Sequence, residues 1–321
     1  AVPFVQPGEI PMSLSLTSVA HVNVNCSDLA RSLAFYRDLV GLTPMTHTRP
    51  LPQDGEGFGL VGKVVWDAYM LQDDRAPLGP SIDLLEWQTP RPIGRPHPEA
   101  NHLGFMRLAL AHGDLDGLHA RLTKAGVATR SGPVSVPVLG GQTVRFFCCS
   151  DPDGTCVEFI ERPGPVRLSH ININCRDLDV SSDWYQRVLG VAPIAGRAEP
   201  PPADGSGFGF AGDCDYRADF LAVGGRPEGL ILDLLEWKTP KPVGRPLAEA
   251  NHLGLFRMAF MVDDAKASCA ELDRLGVAHS GPCHLDMGPD VPIEGGLYAV
   301  FFRDPDGTCL ELIETPRLRR A

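Results

Sequence analysis

An internal duplication constrains the fold of this chain more than any other feature of its sequence. The phrase HVNVNCSDLARSLAFYRDLVGL at His21 returns as HININCRDLDVSSDWYQRVLGV at His170, and DPDGTCVEFIE at Asp151 returns as DPDGTCLELIE at Asp304. The sequence therefore predicts two homologous domains, 17–163 and 167–316, which are joined by the segment RPGPVR. Residues 1–16 are predicted to form a loose N-terminal arm or a vector-derived remnant.

Each predicted domain divides again into two modules, about 17–90 and 100–163, then about 167–240 and 250–316. VAHVNVNC alternates apolar and polar residues as a half-buried strand does, and SDLARSLAFYRDLVGL has the pattern of a capped amphipathic helix. Further strand-like runs follow each helix, and DPDG is a turn signal between the last two. Antiparallel strands after each helix favour an α+β class over a doubly wound parallel sheet.

Charge and hydropathy narrow the range of partners. The formal net charge of −11 argues against a nucleic-acid partner or an anionic membrane surface. No apolar run reaches the ~18 residues needed to cross a membrane. Nine cysteines without a C-x-x-C pair are typical of a cytoplasmic protein with reduced thiols. A small molecule is therefore the expected partner, and the chain is expected to be a monomer or a homodimer.

Two histidine positions recur in both halves, and each half ends in an apolar strand that carries a glutamate. The recurring pairs are His21 with His170, His102 with His252, and Glu158 with Glu311. A histidine in a strand is commonly a core residue, but a buried carboxylate is costly unless it is paired or binds a metal. Two histidines and one carboxylate also match the facial triad that holds Fe(II) with open positions.

Strand parity predicts which polar residues face the interior. On the first strand of each half, Asn23 and Asn172 share a face with the recurring histidine, so this face is expected to line a wet cavity. In SIDLLEW, Asp83 and Glu86 are three residues apart and must face opposite ways. Alignment within the repeat favours Asp83 and its counterpart Asp233 as the inward residues. Either aspartate is a candidate fourth metal ligand or acid/base group. The alternative is a structural role, in which Asp83 holds a neighbouring loop or Arg107.

At these residues the chain resembles the vicinal oxygen chelate superfamily, which includes glyoxalase I, extradiol dioxygenases and bleomycin-binding proteins. SLAFYRDLVGL and DPDGTCVEFIE are the phrases that carry the resemblance, which covers nearly all of residues 17–316. It implies four βαβββ modules paired into two open β-barrel domains, each around one metal. Superfamily ligands come from the first strand of each module and from the terminal strand. Carried over, they are His21, His102 and Glu158 in the first half, and His170, His252 and Glu311 in the second.

Three functions follow from this resemblance. An Fe(II) dioxygenase acting on an oxygenated substrate is placed first, although VFFRDPDG has phenylalanine where extradiol enzymes usually have a catalytic tyrosine. A glyoxalase-type lyase or isomerase is the alternative, with Asp83 or Asp233 completing four ligands; fused two-half glyoxalases suit the near-equal halves. A binding protein that sequesters a small molecule is the third. Fe(II) is favoured, with Mn, Ni, Zn or Co possible. The residues expected to contact the substrate are the asparagines Asn23 and Asn172 and the aromatic residues Trp66, Tyr69, Tyr216, Phe220 and Phe301.

Overall fold

A computed structural model describes residues 13–77, 79–137 and 143–316 of the chain, so most of the predicted N-terminal arm lies outside the described residues. The first module contains β1 (Leu16–Asn25), α1 (Leu29–Ala34), β2 (Thr43–Thr48), β3 (Gln53–Asp54), β4 (Lys63–Gln72) and β5 (Ser81–Thr89). The second contains β6 (Gly104–His112), α2 (Leu115–Lys124), β7 (Val134–Pro137), β8 (Thr143–Ser150) and β9 (Cys156–Glu161). The third contains β10 (Arg167–Asn174), α3 (Leu178–Leu189), β11 (Val191–Pro193), β12 (Ala203–Asp204), β13 (Asp213–Val223) and β14 (Ile231–Thr239). The fourth contains β15 (Gly254–Val262), α4 (Ala265–Arg274), β16 (His279–Leu285), β17 (Leu297–Arg303) and β18 (Cys309–Glu314).

The helix of every module begins in the same way. An aspartate with a non-helical backbone precedes the helix, and its side chain accepts a hydrogen bond from a backbone N–H of the first turn. These N-caps are Asp28, Asp114, Asp177 and Asp264. A π-helical turn, Phe35–Val40, continues α1, and it ends at Gly41 in the left-handed conformation that glycine adopts without strain.

The strands form two curled mixed sheets, and each sheet combines modules from both halves of the sequence. In the first the strand order is β16-β17-β18-β15-β1-β5-β4-β2, and in the second it is β11-β13-β14-β10-β6-β9-β8-β7. We call them the first barrel, built by the first and fourth modules, and the second barrel, built by the second and third. The α+β class and the paired open barrels are confirmed. The expectation that one half supplies all the ligands of one barrel is wrong, because β1 pairs with β15 and β10 pairs with β6.

The interior of each barrel is packed around a fully buried tryptophan. Trp87 in the first barrel contacts Phe58 with ring centroids 5.5 Å apart, and Trp237 in the second contacts Phe208 at 5.4 Å. The helices and the outer sheet faces share a larger core. Among the described residues, no helix is long and apolar enough to cross a membrane.

Candidate functional site

A cluster of buried charged residues occupies the centre of the first barrel. His21 Nε2 lies 3.3 Å from Glu311 Oε2 and 3.9 Å from Asp83 Oδ2. Arg257 bridges the two carboxylates: its Nε donates to Glu311 and its Nη2 to Asp83, each at 2.7 Å. Asn23 also donates to Asp83 Oδ2 at 3.1 Å. The first and fourth modules therefore build this centre together.

The second barrel repeats this arrangement with looser contacts. Arg107 Nε donates to Glu158 Oε2 at 2.7 Å, but its Nη2 lies 3.4 Å from Asp233 Oδ2. His170 Nε2 is 3.7 Å from Glu158 Oε1, and Asn172 donates to Asp233 Oδ2 at 3.1 Å. The second and third modules build this centre. Asp233 is thus held less tightly by its arginine than its counterpart in the first barrel.

The second centre opens into a cavity of about 630 Å³. Its polar lining residues include Arg107, Glu158, His170 and Asp233, and its aromatic lining residues are Phe146, Phe208, Tyr216 and Phe220. Nη1 of Arg107 and Oδ1 of Asp233 are buried there and have no hydrogen-bond partner within the described residues. Buried polar atoms are normally paired, so these two have unused hydrogen-bonding capacity, as does Nη1 of Arg257 in the first barrel.

Burial and neighbouring charges set the protonation of the two centres. Burial raises the pKa of Asp233 above its ordinary value, although His170 and Arg107 oppose the shift. Burial alone would lower the pKa of Arg107, but Glu158 and Asp233 raise it, so the guanidinium stays charged. In the first barrel burial would raise the pKa of Glu311, yet Arg257 and His21 lower it.

The structure places His102 and His252 outside both barrel centres, which corrects their prediction as ligands. His102 precedes β6, its Nδ1 lies 3.0 Å from the carbonyl oxygen of Leu103, and its ring stacks on His97 with centroids 3.5 Å apart. Its Nε2 lies so close to Gly244 that a Cβ there would be 1.9 Å away. His252 packs in the same way over Gly94, where a Cβ would be 2.1 Å from its Nε2. The two HLG phrases therefore pack the linker of one half onto the linker of the other.

Buried asparagines fix these linkers. Asn174 Nδ2 donates to the carbonyl oxygens of Ala100 and His102, both at 2.7 Å, and Asn174 Oδ1 accepts a bond from Trp237 Nε1 at 3.1 Å. Asn25 makes the equivalent bonds to Ala250, His252 and Trp87. We call the two Asn side chains and the carbonyls they bind the linker clasp.

The sequence model of one superfamily matches residues 18–159 and 167–312, under the description Glyoxalase/Bleomycin resistance protein/Dioxygenase superfamily. The chain belongs to this superfamily. The predicted membership is confirmed, and the match covers both halves of the repeat.

Similar proteins include lactoylglutathione lyases. The chain is 27% identical to the probable chloroplastic lactoylglutathione lyase of Arabidopsis thaliana over 184 residues. This aligned stretch covers 56% of this chain and 46% of the relative. It is also 27% identical to the lactoylglutathione lyase of Escherichia coli O157:H7 over 153 residues, and this aligned stretch covers 46% of this chain and 93% of the relative. The chain thus spans less than half the length of the Arabidopsis relative.

Glyoxalase I from Zea mays has a similar fold, with a TM-score of 0.64 and 19% identity over 92% of each chain. At that level of identity the similarity shows the fold alone.

Membership in the superfamily implies a divalent metal, but the residues at these centres do not fit one. Arg107 and Arg257 each occupy the space between two carboxylates. A guanidinium has no lone pair to offer a metal, and its permanent charge repels a cation. Within residues 13–77, 79–137 and 143–316, no three His, Cys, Asp or Glu side chains are arranged to hold a metal ion. The predicted sets His21/His102/Glu158 and His170/His252/Glu311 are not assembled, and the histidine and two carboxylates that do meet at each centre are arranged around an arginine instead of a metal ion.

The remaining predicted substrate residues divide between the barrels. Tyr216 and Phe220 line the cavity of the second barrel. In the first, Trp66 packs against Phe58 and Trp87, while Tyr69 stacks on His47 with centroids 4.1 Å apart. Phe301 lines a separate depression of about 380 Å³ with Gly57 and Phe58. Asn23 and Asn172 each bind the inward aspartate, as described above.

Sequence reasoning missed Arg107 and Arg257, although the signal was present. Both lie in otherwise apolar strands, FMRLALA and LFRMAFM, at matching positions of the repeat. A buried arginine needs a carboxylate partner as much as a buried glutamate needs a cation. The suggestion that Asp83 holds Arg107 had the right chemistry but the wrong partner, since Asp83 binds Arg257 and Asp233 binds Arg107.

Proposed function

We propose that this protein is a glyoxalase-type lyase or isomerase that transfers a proton on a small oxygenated molecule bound in the second barrel. The cavity volume is within the ~300–1,000 Å³ typical of small-molecule sites, and its floor combines a carboxylate with a fixed cation. The lyase names of the relatives support this alternative over the dioxygenase prediction. A facial triad for Fe(II) would need two histidines beside one carboxylate, whereas His252 lies in the linker.

The observation that carries the proposal is the environment of Asp233. Its Oδ1 is buried at the cavity without a partner among the described residues, and burial raises its pKa. A carboxylate with a raised pKa is a better proton acceptor at neutral pH than an ordinary surface carboxylate. Glu158 is less suited to this role because Arg107 holds it at 2.7 Å.

The proposed reaction needs no co-reactant. Asp233 Oδ1 removes a proton from the carbon next to the carbonyl of a hydroxy-carbonyl substrate, and the C–H electron pair moves through the new C=C bond onto the carbonyl oxygen. The positive charge of Arg107 stabilises the resulting enolate. Return of the proton from Asp233 to the former carbonyl carbon, together with transfer of the hydroxyl proton to the enolate oxygen, completes an isomerisation, so atoms and charge balance.

Sequestration of a small molecule without turnover is the second candidate. The aromatic side chains Phe146, Phe208, Tyr216 and Phe220, which line the cavity, favour it because they suit a flat apolar ligand. Proton exchange distinguishes the two candidates, since a sequestering protein binds its ligand without activating a C–H bond.

The test is ¹H NMR of neutral α-hydroxy ketones, from hydroxyacetone to 2-hydroxyacetophenone, incubated with the protein in D₂O. We expect deuterium to replace the hydrogen next to the carbonyl of at least one ketone. Asp233→Asn is expected to slow this exchange by about 10²-fold or more, while the matched variant Asp83→Asn leaves it intact. Exchange that Asp233→Asn leaves unchanged would contradict the proposal, and binding without exchange across the panel would favour sequestration.

A further inference from the structure

In each of the four modules, the register between the first and last strands shows which first-strand residue lies on the inward face near the last-strand carboxylate. In the first and third modules, Asn23 pairs with Asp83 and Asn172 with Asp233. In the second and fourth modules, Ala109 pairs with Glu158 and Ala259 with Glu311. The residue two positions earlier on each first strand shares the inward face. These residues are His21, Arg107, His170 and Arg257.

Each barrel centre therefore has two first-strand residues and two last-strand carboxylates. If all four were donors, they could surround one metal ion. One of the four is an arginine in both barrels, and it is the residue that contacts both carboxylates. The arginine thus supplies, from within the chain, the positive charge that the two carboxylates would otherwise require from a cation.

We propose that the guanidinium of Arg107 replaces the divalent cation in the second barrel, and that its Nη1 binds an oxygen atom of a neutral ligand. This inference rests on the proposed function and names the group that recognises the ligand. Nε and Nη2 of Arg107 face Glu158 and Asp233, whereas Nη1 is buried without a partner in the described part of the chain. Phe208 lies against the guanidinium, 5.0 Å from its central carbon to the ring centroid. A carbonyl oxygen that reaches Nη1 would satisfy the remaining donors.

The charges around the cavity favour a neutral ligand. Its lining includes the cations Arg107 and Arg162 and the carboxylates Glu158, Glu199 and Asp233. The cavity has no surplus of positive charge, so a thiol conjugate with two free carboxylates would be bound poorly. The aromatic lining residues suit an unsaturated or aromatic body attached to the carbonyl.

The second barrel suits this role better than the first. In the first barrel Arg257 is held at 2.7 Å by both carboxylates, and the side chain of His21 is 4% exposed. In the second, the contact of Arg107 with Asp233 lengthens to 3.4 Å and His170 is 14% exposed. The ligand is therefore expected in the second barrel.

Exchanging the arginine for a ligand residue tests the replacement directly. Full-length wild type, Arg107→His and Arg107→Gln are titrated with CoCl₂, with visible absorption and elemental analysis as readouts and circular dichroism as the check of folding. We expect no stoichiometric cobalt in wild type or Arg107→Gln, and about one ion per chain in Arg107→His, because the new imidazole completes a set of nitrogen and oxygen donors. Arg257→His is the equivalent variant in the first barrel and serves if Arg107→His fails to fold.

Ligand binding is measured separately with 2-hydroxyacetophenone by equilibrium dialysis. Arg107→Gln is expected to weaken binding by about tenfold or more, Arg257→Gln to leave it within about twofold, and S-lactoylglutathione to bind more weakly than the ketone. Stoichiometric cobalt in the wild type, or none in a folded Arg107→His variant (or in Arg257→His, if Arg107→His does not fold), would overturn the inference. Equal binding by Arg107→Gln and wild type would also overturn it. These readouts do not depend on turnover, so the proton-transfer proposal can fail while this inference holds.

Discussion

The linker clasp gives the sharpest prediction for stability. Replacing Asn174 with alanine removes one side chain that makes three hydrogen bonds and is fully buried. The carbonyl groups of Ala100 and His102 and the indole N–H of Trp237 are then left without the partner they had. Because these groups lie between the two halves, water cannot replace the amide without opening the contact.

The magnitude follows from the number of orphaned groups. A buried polar group that loses its partner costs roughly 1–3 kcal/mol, so three such groups predict a loss of about 3–9 kcal/mol in the free energy of unfolding. Asn101→Ala is the matched control, because Asn101 donates one bond, to the carbonyl oxygen of Lys241 at 2.5 Å. This control is expected to cost about 1 kcal/mol.

Urea denaturation followed by circular dichroism and tryptophan fluorescence measures both variants, and Asn25→Ala repeats the experiment in the other half. We expect Asn25→Ala and Asn174→Ala to have similar effects, each well beyond that of Asn101→Ala. A loss no larger than the roughly 1 kcal/mol expected for Asn101→Ala, in either buried-asparagine variant, would contradict this prediction. The two linkers would then be held by other contacts.

Three further predictions concern a glycine, two buried acids and the cavity wall. Gly244→Ala should lower the free energy of unfolding by at least ~2 kcal/mol, because Gly244 has a φ of +71° and its position leaves no room for a Cβ beside His102. Gly126→Ala is the control: Gly126 has a φ of +78° but open space around it, so this variant should cost only the ~1 kcal/mol of backbone strain. Thermal unfolding compares the two variants. Burial raises the pKa of Asp151 and Asp304 from 3.8 to about 6, so their protonated forms stabilise the fold fully below pH 4 and this contribution is lost as the pH rises through 6. Urea titrations should accordingly show the free energy of unfolding falling between about pH 4 and 6, by up to roughly 3 kcal/mol for each acid. Phe220→Ala should weaken binding of 2-hydroxyacetophenone about tenfold in equilibrium dialysis, because it removes an aromatic wall of the cavity.

Local features of this fold could be predicted from the sequence. The Asp-capped helices, the alternating first strands and the repeat indicate four modules. Strand parity puts Asp83 and Glu86 on opposite faces, and alignment within the repeat favours Asp83 and Asp233 as the inward residues. The structure agrees, since both contact the inward asparagine of the neighbouring strand, while Glu86 faces outward and accepts the N–H of Leu29 at the start of α1.

The pairing of modules could not be predicted in the same way. The four modules present similar strand edges, so hydrophobic pattern alone does not decide whether β1 pairs with β6 or with β15. Contacts between distant residues, such as Asn25 with Ala250, fix the outcome. His102 cannot reach the barrel centre because it precedes β6, which begins at Gly104; the residue of this strand that contacts Glu158 is Arg107.

In the proposed mode of binding, an arginine and an aspartate of the second barrel hold a small oxygenated molecule without a metal ion. A crystal structure of the protein soaked with both ZnCl₂ and 2-hydroxyacetophenone, with anomalous data at the zinc edge, tests it most directly. We predict the ketone oxygen within hydrogen-bond distance of Arg107 Nη1, its reactive carbon beside Asp233, and no anomalous peak between His170 and Glu158. A zinc peak at that position, with Arg107 displaced from the two carboxylates, would show that a metal ion and not Arg107 occupies the second centre.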